Sequence, residues 1–147
     1  MDADFTAILV AHYPGEADRY FLPMFIGTNL ADADEGAAAI LSGTKTLTSS
    51  PFWAFADGRI PFVGALSVLL NGSRHPVAIV ETTRIEIMPF NAITDELAFA
   101  YGEGQLTAAW WRGAMGDWYR ASAAQHGTDF REEAPIIWEW INVSRRL

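Results

Sequence analysis

The sequence predicts an α+β fold in which a small, partly closed β-barrel carries helices packed around it. Three observations lead there. Runs rich in Ile, Val, Leu, Phe and Trp lie at 61–70, 75–90 and 135–147. The first two are separated by Asn71-Gly72, a strong hairpin signal. Alanine-rich stretches lie before and between these runs, and their ends carry helix start and stop residues.

The first residues, DADFTAILVAHY, read as a short helix broken at Pro14-Gly15. YFLPMFIGTN follows as an apolar edge strand or extended segment, because Pro23 has no N–H to give to a ladder. ADADEGAAAILSG has acids in its first turn, an Ala/Ile/Leu body and Gly43 after its last residue, the asymmetry of a capped helix. Lys45 and Thr48 therefore lie just past a helix end, in a turn or at the start of a strand. The run 75–90 is a long strand. If Ile79 faces inward, alternation turns Glu81, Thr83, Ile85 and Ile87 inward and Thr82, Arg84 and Glu86 outward. Glu81 on an apolar face must cap buried backbone, pair with an arginine or meet a ligand. Thr94 caps a short helix through DELAFAY, a longer amphipathic helix spans 107–126, and PIIWEWINV is the last strand. The chain divides into an N-terminal segment, 1–24, packed on a domain formed by 25–147.

At 147 residues with half of them hydrophobic, the chain is long enough for one real core. It has no cysteine and only His12, His75 and His126, so disulfides and Cys-based metal sites are excluded, and no cofactor or metal is expected. No apolar run approaches a membrane span and no signal pattern opens the chain, so a cytoplasmic location without membrane contact is expected. The net charge of −8 disfavours non-specific attraction to nucleic acid, and DNA is not an expected partner. Residues 41–92 are the exception, with Lys45, Arg59, Arg74 and Arg84 against three acids.

Lys45 is the only lysine among ten cations, and it sits in the Gly/Thr/Ser-rich stretch SGTKTLTSS. It is either a solvated helix-end charge or a functional amine. A phosphate-binding P-loop is excluded, because Thr44 precedes the lysine and the element order is helix then strand. A threonine nucleophile needs a base, and Lys45 is the local candidate for Thr48 if burial lowers its pKa by about 2–3 units. Residues 45 and 48 share a face only if the helical turn continues past Gly43. Glu103, between two glycines in YGEGQ, is the acid best placed by type to balance the amine; otherwise it is an ordinary loop acid.

LSGTKTLTSSPFW, VGALSVLLNGSRHPVAIVETTRIEIMPFNAITDELAFAYGEG, AAWWRGA and APIIWEWINV, in that order, resemble the ASCH domain family, from about Phe25 to the C-terminus. The resemblance implies a PUA-like β-barrel with a cleft beside Gly43, Lys45 and Thr48 for RNA, a nucleotide or a modified nucleoside. Some members of that family hydrolyse N4-acetylcytidine and others have been described as ribonucleases. Carried over, the catalytic roles fall on Lys45, Thr48 and Glu103; the expected substrate contacts are Gly43, Ser49, Trp53 and Arg112, with Glu81 added from its place on the apolar strand face. The chain departs from the family pattern at Thr44, Ala65, Gln105, Met115 and Trp140. The alternative is a non-catalytic module that binds RNA or a protein partner. A third reading is an acidic scaffold that self-associates through one ring of the Trp110-Trp111 pair.

Overall fold

The computed structural model describes residues 5–27, 29–55 and 57–147; residues 2–4 of the first predicted helix lie outside them. In chain order the elements are α1 (Thr6–His12), β1 (Tyr20–Met24), α2 (Leu30–Ser42), β2 (Leu47–Ser50), β3 (Leu66–Leu70), β4 (Pro76–Pro89), α3 (Asp95–Tyr101), α4 (Ala108–Gln125) and β5 (Pro135–Arg146). The α+β class and each predicted helix and strand are found.

The five strands form one sheet ordered β1-β3-β4-β5-β2, parallel only between β1 and β3. Pro23 sits on the edge strand β1, where its missing N–H breaks no inner ladder. No ladder joins β1 to β2 among the described residues, so the expected barrel closure is not found. The reason is local. The two edges are held apart by a cleft to which both contribute: Phe21, Pro23 and Met24 from β1, Thr48, Ser49 and Ser50 from β2.

Three apolar clusters hold the layers together. Ala37 and Ile40 of α2 pack on Met24, Leu69, Val80 and Ile141. Leu9 of α1 packs on Leu66, Val68 and Ile79. An aromatic cluster of Phe90, Tyr101, Trp111, Tyr119 and Trp138 joins α3 and α4 to β5, with Trp111 stacked on Trp138 at 5.2 Å.

One local expectation is corrected, and the hairpin predicted at Asn71-Gly72 is found with a longer connection. Strict alternation along β4 fails, because the register shifts between Ile79 and Val80 and again between Thr82 and Arg84. Thr82 is thereby buried, Thr83 is exposed, and Glu81 is half-buried, 3.4 Å from Arg19. The β3–β4 connection is also wider than a two-residue turn. Asn71 accepts at Oδ1 from the N–H groups of Ser73 and His75, and Arg74 takes a left-handed φ of 61°. Gly72 donates instead to Asp34 of α2, and a Cβ there would lie 2.3 Å from the Leu30 carbonyl oxygen. The glycine serves helix contact, not turn geometry.

A cleft between two sheet edges

The turn between α2 and β2 is held on both sides. Gly43 ends α2 with φ of 82°, and the Lys45 N–H returns to the Ala39 carbonyl. The next N–H, of Thr46, donates to the Ala100 carbonyl of α3, and the Thr46 carbonyl accepts from Ile141 of β5. Gly102 closes the arrangement. Its φ is 71°, and a Cβ there would lie 2.4 Å from the Thr44 carbonyl oxygen and 2.7 Å from the Lys45 Cα.

Lys45 is 1% exposed. Its Nζ donates to the Leu47 carbonyl at 2.8 Å and to the Tyr101 carbonyl at 3.1 Å. It lies 3.4 Å from the centroid of the Tyr101 ring and 3.8 Å from Glu103 Oε2. The lysine is a helix-end cation, as one sequence reading had it. The helix is α3 rather than α2, and the charge is enclosed rather than solvated. It satisfies a terminal carbonyl that α3 leaves without an internal partner. Burial lowers its pKa to about 8, opposed by the charge of Glu103. Burial likewise raises the Glu103 pKa, and Lys45 opposes it.

Thr48 is not on a continuing helical turn; it is in β2. Buried and half-buried residues alternate from Lys45 through Ser50, so Lys45, Leu47 and Ser49 share one side of the alternation while Thr48 and Ser50 share the other. Among the described residues no hydrogen bond joins Lys45 to Thr48.

The cleft encloses about 600 Å³. Phe21, Phe55, Tyr101, Trp110 and Trp118 supply aromatic wall, Thr48, Ser49 and Ser50 supply hydroxyls, and Asp32, Glu35, Glu103 and Glu139 supply carboxylates. Among the described residues no lysine or arginine lines it. Ser49 bridges two phenols, 3.2 Å from the Tyr101 hydroxyl and 3.1 Å from that of Tyr119. Burial raises the pKa of both tyrosines, so they remain neutral hydrogen-bonding groups.

Of the residues singled out from sequence, Thr48, Ser49 and Glu103 line the cleft, and Lys45 lies directly behind Tyr101 and Glu103. Gly43, Trp53, Glu81 and Arg112 are not among the lining residues. Trp53 instead donates to the Ser122 hydroxyl at 2.9 Å and packs edge-on to Tyr119. Arg112 is exposed on α4. Of the tryptophan pair, Trp111 is buried in the core and Trp110 lies over Gly104, facing the cleft rather than a free surface. The residue missed was Glu139. Lying in the apolar run PIIWEWINV, a carboxylate flanked by two tryptophans was the available signal.

Among the described residues no helix is long and apolar enough to cross a membrane, and no cluster of three metal-binding side chains occurs. The sequence model of the ASCH domain matches residues 23–144. The fold is similar to a crystal structure of an ASCH domain from Lactobacillus crispatus JV V101, with a TM-score of 0.81 and 25% identity, covering 95% of this chain and 91% of that one. It is also similar to a protein from Enterococcus faecalis V583, with a TM-score of 0.77 and 24% identity, covering 85% of this chain and 76% of that one. No curated protein matches the sequence.

Proposed function

The chain belongs to the ASCH domain family, and from that premise we propose that its cleft binds a single nucleoside, free or presented as a splayed base of an RNA. The family is thought to bind RNA; the composition of this cleft supports the narrower reading. A volume of about 600 Å³ fits one nucleoside. Trp110 and Trp118 offer flat surfaces for a base, and hydroxyls and carboxylates offer hydrogen bonds to its edge. The observation that carries the proposal is this pairing of aromatic and hydrogen-bonding wall, with no cationic side chain lining it among the described residues. Titration with cytidine, adenosine, guanosine and uridine, followed by tryptophan fluorescence, tests it. Saturable binding is expected, weakened in Trp110→Ala by roughly 1–3 kcal/mol. Failure of all four nucleosides to bind at millimolar concentration would overturn the reading.

A second, enzymatic reading is favoured by the amine of Lys45, whose pKa of about 8 leaves a usable fraction neutral near neutrality. A neutral amine has two N–H groups and a lone pair. The Leu47 and Tyr101 carbonyls take the two hydrogens, leaving the lone pair to receive a proton. In this reading Thr48 Oγ attacks the acyl carbon of an N-acylated base and its proton reaches Lys45, on the other side of the strand, through an intervening water. The ammonium, balanced by Glu103, returns that proton to the departing base nitrogen as the C–N bond breaks, and a second water hydrolyses the Thr48 ester to release the acid. Acetate release from N4-acetylcytidine is the assay, with loss expected in both Thr48→Ala and Lys45→Met. Full activity in both variants would eliminate this chemistry while leaving nucleoside binding intact.

A further inference from the structure

The four carboxylates of the cleft are not equivalent. Asp32 and Glu35 are exposed on α2, and Glu103 has Lys45 beside it. Glu139 is 4% exposed, lines the cleft, and has no cation within ion-pair distance among the described residues. Its Oε1 accepts from the Thr82 hydroxyl across the β4–β5 ladder. Among the described residues, Oε2 has no hydrogen-bond partner. On its other flank Glu139 is paired in register with Thr48 of β2, so the two side chains are cross-strand neighbours on one face.

Oε2 is not among the enclosed side-chain atoms left without a partner, so it opens onto the cleft, where water or a polar ligand meets it. Burial also raises its pKa, with the Thr82 hydrogen bond opposing. An apolar residue of similar volume would serve the sheet as well.

We propose that Glu139 is the specificity-determining residue of the cleft, its Oε2 accepting a hydrogen bond from an amino group on the edge of the bound base. The ligand class is therefore a nucleoside with an exocyclic amine, of the cytosine or adenine type, in preference to its carbonyl counterpart. A carbonyl oxygen at the same place would face the carboxylate oxygen with no hydrogen between them. The inference rests on the nucleoside reading above and adds to it which edge is read and by what. Glu139 sits beside Thr48, so the group it orients is held next to that hydroxyl.

Pairs in which the exocyclic amine becomes a carbonyl and the adjacent ring nitrogen turns from acceptor to donor test the claim: cytidine with uridine, and adenosine with inosine, measured by calorimetric titration. The wild-type protein is expected to bind the amine member about tenfold or more tighter, as for one hydrogen bond to a charged group. In Glu139→Gln, which can offer either an oxygen or an N–H, the preference should collapse to within about threefold. Retained uridine and inosine binding reports that this variant is folded. If no nucleoside binds the wild type, the proposed function itself fails. If nucleosides bind without an amine preference, or if the preference survives in Glu139→Gln, only the role of Glu139 is overturned. The wild-type comparison decides even where the variant does not fold.

Discussion

Lys45 shows how one side chain can set the pH response of the whole chain. An ammonium enclosed among two carbonyls, a ring face and a half-buried carboxylate gives up its proton more readily than one in water, hence its pKa of about 8 against 10.5. Between those values the unfolded chain holds a proton that the folded chain does not. The slope of unfolding free energy with pH is then positive, so stability rises as pH increases from about 8 toward 10.5. The whole window amounts to on the order of 3 kcal/mol. The chain has one lysine and no cysteine, so between pH 8 and 9 the amine gives the largest side-chain contribution, and toward 9.5 the tyrosines with raised pKa begin to oppose it. Above pH 10 the sign reverses, because Tyr101 and Tyr119 have raised pKa values and the unfolded chain loses their protons first. Urea midpoints at pH 7.5, 8.2 and 9.0, below the range where the tyrosines ionise, should climb in the wild type and stay level in Lys45→Met. A level wild-type profile would mean that the amine is hydrated.

At the scale of elements, the cleft is assembled by two connections whose glycines do different work. Gly43 and Gly102 both end helices in the left-handed region, at φ of 82° and 71°. A Cβ at Gly43 meets nothing within 4 Å, whereas at Gly102 it would enter the backbone of Thr44 and Lys45. Gly43→Ala should therefore cost only the conformational penalty, roughly 1–2 kcal/mol. Gly102→Ala should cost more, about 3 kcal/mol or above, because the loop carrying Glu103 must also move off the lysine turn. Chemical denaturation of the two variants side by side measures the difference; equal losses would contradict the close approach. The same pair marks what was legible beforehand. Helix ends, caps and strand runs depend on neighbours in sequence, and these were readable: Gly43 after α2, Thr94 before α3, Pro23 on an edge. Glu103 beside Lys45 followed from residue type and resemblance. The bulges that turned Glu81 toward Arg19 and buried Thr82 were not readable, because a one-residue shift leaves no mark on composition. Glu139 escaped because its significance comes from Thr48 and Thr82, distant in sequence and adjacent only across ladders.

On the scale of the whole molecule, charge decides which part of a nucleic acid the cleft can hold. The chain carries a net charge of −8, and among the described residues four carboxylates but no cationic side chain line the cleft. Arg59 stacks on the cleft-wall Phe21, yet its guanidinium donates to the Tyr20 carbonyl. A phosphate charge about 8 Å from one carboxylate loses roughly 0.5 kcal/mol even at the permittivity of water, and the three carboxylates other than Glu103, whose charge Lys45 offsets, together amount to about 1.5 kcal/mol. Base stacking contributes a comparable favourable amount per ring, so the phosphate is enough to cancel it. Cytidine should accordingly bind about tenfold or more tighter than cytidine 5′-monophosphate at low ionic strength. The gap should narrow as salt shortens the range of the repulsion. Nucleoside affinity itself should be nearly independent of salt, since no phosphate contact releases counterions. Calorimetry at 20 mM and 500 mM NaCl separates the outcomes. A monophosphate that binds more tightly than its nucleoside, with affinity falling steeply as salt rises, would place the ligand's backbone on a cationic surface. The acidic, aromatic cleft would then not be the seat of recognition.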